Sequence, residues 1–91
     1  MAALSGQVTV TTTGTAVQGP STPTGSLFAI KAHQDNTDVI WVGNDGAGDV
    51  ASGNGFPLNA GEGVVVDGPT LNKLWFDADV NGEKACWFRL Q

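Results

Sequence analysis

Apolar and polar residues alternate along most of the chain, and no window of about 11 residues carries apolar positions at the helical spacing without a Gly or Pro breaking it. Val8 and Val10 alternate with Thr9 and Thr11, which predicts a strand over 7–13 with one apolar face. Gly14 interrupts it, and 15–18 is expected to resume it after a bulge or kink. A second strand is predicted over 26–32, with Phe28, Ile30 and Ala32 on one face, and a third over 39–43, apolar on both. The longest irregular stretch, 43–55, leads into Phe56-Pro57-Leu58, and a short β-branched strand at 64–67 is closed by Gly68-Pro69. Between these lie turn segments at 19–25, 33–38 and 59–63. Strands bounded by turns at roughly 8–12-residue spacing are the signature of sandwiches and barrels. The fold expected is all-β, an antiparallel β-sandwich of jelly-roll-like or small-barrel type with little or no helix, formed by a single domain over 1–91. Residues 1–24, which hold seven of the nine threonines, are also a candidate extended N-terminal arm.

The C-terminal third carries the strongest local signal. Two apolar runs, 74–80 and 83–90, flank Asn81-Gly82, the dipeptide most typical of a two-residue hairpin turn. A hairpin there sets Phe76 opposite Trp87, Trp75 opposite Phe88, and Asp79 opposite Lys84 as an ion pair. Both faces of such a hairpin are aromatic, and a single core covers only one. Trp75 and Phe88, with Trp41 and Leu90, are therefore the residues expected at an interface, covered either by the N-terminal arm or by another subunit.

Composition narrows the partners. The net charge is −5, and Lys31, Lys73, Lys84 and Arg89 are scattered, which argues against nucleic acid. Charged residues are only 14% of the chain, against about 25% in typical soluble domains. Gly, Thr, Ser and Asn replace them, and a surface so poor in charge suits a protein packed among neighbours. Cys86 and His33 are the only residues of their types, so neither an internal disulfide nor a zinc-type ligand set is available. Self-association or docking is the remaining way to stabilise so small a core. No apolar run approaches the roughly 18 residues of a membrane span. Residues 1–6 lack the basic and apolar regions of a signal peptide, so the chain is expected to be made in the cytoplasm.

No candidate chemistry survives inspection. Gly46-Ala47-Gly48-Asp49-Val50-Ala51 matches the Ala-ending dinucleotide fingerprint, but Ser52-Gly53-Asn54-Gly55-Phe56-Pro57 cannot form the helix that fingerprint needs. Asp45 and Asp49 lack the spacing of a calcium loop. Asp77 and Asp79 share a strand face near a turn and read as surface charges. His33 sits in a polar turn with no nucleophile elbow in the chain, and Cys86 reads as a buried structural thiol. No enzyme, cofactor or metal is expected. Trp41, Trp75 and Trp87 offer an alternative, a sugar-stacking platform completed by the 43–55 loop.

Several segments together carry a family resemblance. Gly14-Thr15-Ala16-Val17-Gln18 precedes Ile30-Lys31-Ala32, Asn36-Thr37 and Trp41-Val42-Gly43. Ser52-Gly53-Asn54-Gly55-Phe56-Pro57-Leu58 runs into Ala60-Gly61-Glu62, and Leu71-Asn72-Lys73-Leu74 leads to Asn81-Gly82. This order resembles small β-sandwich virion proteins of tailed bacteriophages, over roughly residues 7–90. The resemblance implies a capsid decoration or cement protein on the virion surface, bridging major capsid protein subunits, often as a homotrimer. A head-fibre or tail component is the alternative it implies. The matching positions are scaffold residues, so no functional residue is carried over.

Overall fold

The computed structural model describes residues 5–21, 26–44, 50, 53–68 and 71–90. Eight strands form in chain order: β1 Ser5–Val10, β2 Val17–Gln18, β3 Ser26–Ala32, β4 Ile40–Gly43, β5 Phe56–Leu58, β6 Gly63–Gly68, β7 Trp75–Ala78 and β8 Glu83–Arg89. The described residues contain no α-helix, only a 3₁₀ turn at Leu71–Lys73. A front sheet has the order β1-β8-β3-β6 and a back sheet the order β2-β7-β4-β5, with antiparallel pairing throughout.

The pairs β1·β8, β2·β7, β3·β6 and β4·β5 are those of one long antiparallel ribbon with its tip between β4 and β5. Rolling that ribbon adds the pairings β3·β8 and β4·β7 and closes a two-sheet sandwich. This is the jelly-roll arrangement of two Greek keys. Of the alternatives open from the sequence, the jelly roll is the one found.

The alternation read in the sequence is what seals the core. Val8 and Val10 of β1, Phe28, Ile30 and Ala32 of β3, and Ala85 and Trp87 of β8 point inward from the front sheet. Ile40 and Val42, Leu58, and Phe76 and Ala78 meet them from the back. Phe28 and Trp87 pack edge to face, ring centroids 6.2 Å apart at 71°, a geometry that adds about 0.5–1.5 kcal/mol to area burial. Gly6, the register partner of Trp87, makes room for the indole: a Cβ there would lie 3.0 Å from the ring.

One expectation is overturned. β7 and β8 do not form a hairpin, because β7 belongs to the back sheet and β8 to the front. Gly82 does take the left-handed conformation, φ 85°, yet its N–H donates to Val10 O at 2.8 Å rather than to β7. Asn81 is likewise held from β1's side, its Oδ1 accepting from Thr13 N at 2.8 Å. Asp79–Gly82 therefore bridges the sheets. Phe76 is paired with Val17 and Val42, Trp87 with Gly6 and Ile30, and Lys84 with Thr9, so the expected Phe76–Trp87, Trp75–Phe88 and Asp79–Lys84 oppositions are absent. The physical reason lies in the partners the bend finds: Val10 takes the Gly82 N–H and Thr13 donates to Asn81, so β8 is drawn between β1 and β3 while β7 pairs with β2 and β4.

Candidate interaction surface

Strand register builds the outer face of the front sheet. Ser5, Phe88, Ala29 and Val65 form one row across all four strands. Phe88 is 49% exposed and Val65 57%. Beyond β8, Leu90 continues the ladder, its N–H donating to Leu27 O at 2.8 Å, and it is 42% exposed. Leu27 and Asp67 stand beside it as register partners. On the other flank lies the row Gln7, Cys86, Lys31 and Gly63, then Thr9 with Lys84. The result is an apolar band with Asp67 on one side and two lysines on the other. Cys86 is half-buried on this outer face rather than enclosed in the core.

The outer face of the back sheet is finished differently. Trp75 pairs with Gln18 and Gly43, and Trp41 with Asp77 and Pro57. Both tryptophans are half-buried, and the Trp41 Nε1–H donates to Asp79 Oδ1 at 3.1 Å. Asp77, expected as a surface charge, is fully buried. Its Oδ1 accepts from Gly14 N at 3.1 Å and from Ala78 N at 2.8 Å, while Oδ2 is enclosed without a partner. The connection between β1 and β2 thus lies over the sheet at Asp77 and shields it.

The four expected interface residues therefore separate into two pairs on opposite sides of the sandwich. Phe88 and Leu90 lie on the front face, Trp75 and Trp41 on the back. The premise that Trp75 and Phe88 belong to one hairpin is removed with the hairpin. The three-tryptophan platform does not form either, because Trp87 is in the core, 7% exposed. Val65, Ala29 and Leu27 complete the front band and are not marked by the sequence, since strands far apart in the chain bring them beside Phe88. One signal was present. In Val64-Val65-Val66, two valines facing the core oblige the middle one to face out.

Other polar groups have structural work. Buried Glu83 accepts at Oε1 from Thr37 N at 2.8 Å, Asp38 N at 2.7 Å and Thr37 Oγ1 at 3.2 Å, which fixes the turn before β4. His33 Nδ1 accepts from Asp35 N at 3.0 Å, closing its own turn. Asp45, Asp49 and the glycines between them lie outside the described residues. Among the described residues no three His, Cys, Asp or Glu side chains gather as a metal site, and no helix is long and apolar enough to cross a membrane. Comparison with protein-family models, with curated proteins and with solved structures gives no match.

Proposed function

We propose that the chain is a non-enzymatic attachment module of a bacteriophage virion that decorates or cements the capsid by docking on the major capsid protein. The apolar band of Phe88, Ala29, Val65 and Leu90, which faces solvent over β8, β3 and β6, is the observation that supports docking. Burying what remains open of Phe88, Val65 and Leu90 contributes on the order of 5 kcal/mol at about 25 cal/mol per Å², before association costs. The virion assignment rests on the resemblance of the scaffold segments. A capsid suits such a band because its lattice repeats each docking site, and engagement of neighbouring subunits converts modest single-site affinity into lasting attachment. Binding to the assembled shell and not to its free subunits stabilises the shell by mass action.

The test is cosedimentation of the purified protein with tailed-phage heads that lack it. Saturable occupancy of the heads, with a raised temperature of head disruption, is expected. Recovery only with tails or fibres, or with no particle at all, would overturn the capsid assignment.

A further inference from the structure

The strand edges of this sandwich are finished unequally. β2 is two residues long, and β5 is three with Pro57 among them; shortness and proline both discourage further pairing. β1 is longer but polar on its outer face, with Ser5, Gln7 and Thr9. β6 has no such protection. It runs six residues without proline, with three valines at its centre, and among the described residues nothing pairs with its outer side. Beneath that edge an open groove of about 460 Å³ enters between the sheets, walled by Val42, Phe56, Val64, Val66 and Leu74. Phe56 is 55% exposed on that wall. A free edge above an apolar groove accepts an added strand, with backbone hydrogen bonds along the edge and alternate side chains below.

We propose that the added strand is β6 of a second copy, related by a two-fold axis that passes through Val65 perpendicular to the front sheet. Opposed residues of antiparallel strands point to the same face, so the inner valines must meet inner valines. The register centred on Val65 satisfies this and pairs the strand from 63 to 67: Val65 faces Val65 of the partner subunit, Val64 faces Val66 of the partner subunit, and Gly63 faces Asp67 of the partner subunit.

Charge supports the same register. Lys31 is the register partner of Gly63 within the chain, so Lys31, Gly63 and Asp67 of the partner subunit form one row on the outer face. Gly63 places no side chain between them, and the exposed Lys31 can reach the carboxylate, once on each side of the axis. Asp67 is the only charged residue of β6, so no like charges are opposed.

The pairing has two further effects. The two grooves meet and cover Phe56, and the two apolar bands join on one side of an eight-stranded sheet. Two docking faces then point the same way, which suits bivalent attachment. A closed two-fold pair of this kind is the commonest oligomer, and this edge builds it in place of the trimer that the resemblance implies. The inference rests on the β6 edge and not on the capsid assignment, so either can fail alone.

Sedimentation analysis of the purified full chain tests it. The wild type is expected at twice the 9.3 kDa chain mass, and Val65→Lys, a change at an exposed position, is expected to be monomeric with an unchanged circular dichroism spectrum. Asp67→Lys should weaken the pair about tenfold at low salt, and combining it with Lys31→Asp should restore most of that loss. A monomeric wild type at high micromolar concentration, a dimeric Val65→Lys variant, or no recovery in the double variant would overturn the proposal.

Discussion

On the back sheet the chain covers its own outer face. Gly14 is laid over Asp77 and donates to it, and Trp41 is tied to Asp79. On the front sheet no described segment does this for Phe88, Val65 or Leu90, each exposed by two fifths or more. The cause lies in the route of the chain after β1. Its connection to β2 crosses to the back sheet and carries residues 11–16 with it, so among the described residues one face receives a cover and the other does not. Trp75 and Phe88 are thereby separated. The first is partly enclosed by its own molecule, and the second is left exposed.

The contrast can be broken most severely at Asp77. Asp77→Ala removes the acceptor for two backbone donors and frees the 11–16 connection, and should cost about 2–3 kcal/mol. Asp77→Asn retains an acceptor and the shape of the side chain, and should cost under about 1 kcal/mol. Urea denaturation measures both, and equal effects from the two would show that the acceptor is not what holds the cover. Gly82→Val comes next. Nothing lies within 4 Å of an added Cβ, so the cost is that of forcing a β-branched residue to positive φ, about 1–2 kcal/mol. A neutral result in the same assay would mean that the bridge between the sheets rearranges. Phe88→Ser should have only a small effect on stability, about 1 kcal/mol, since half of the side chain is already in water. A large loss there would show the front face to be part of the core.

Much of the sandwich was legible in the sequence because alternation is a local signal. The strand at 26–32 was placed to the residue, and the valines of β1 face inward as their spacing with threonine requires. The turn at Asn81-Gly82 was legible as chemistry, since Gly82 adopts positive φ. Its use was not. The same bend serves a hairpin within one sheet or a bridge between two, and the choice depends on whether Val10, some 70 residues away, takes the Gly82 N–H. The burial of Asp77 is not legible locally for the same reason, because its cover arrives from Gly14, 63 positions distant. The front band was half visible. Phe88 and Leu90 stand out in the sequence as large apolar residues near the C-terminus, but Ala29 and Val65 join them only through β3 and β6.

Under the capsid docking proposed above, the difference between the two faces is tested most directly by head occupancy. Tailed-phage heads lacking the protein would be incubated with the wild type, with Phe88→Ser and with Trp75→Ser, each first shown to be folded. Docking through the front sheet predicts that Phe88→Ser loses more than about tenfold in apparent affinity, while Trp75→Ser binds as the wild type does. Undiminished binding of Phe88→Ser, or loss confined to Trp75→Ser, would contradict it.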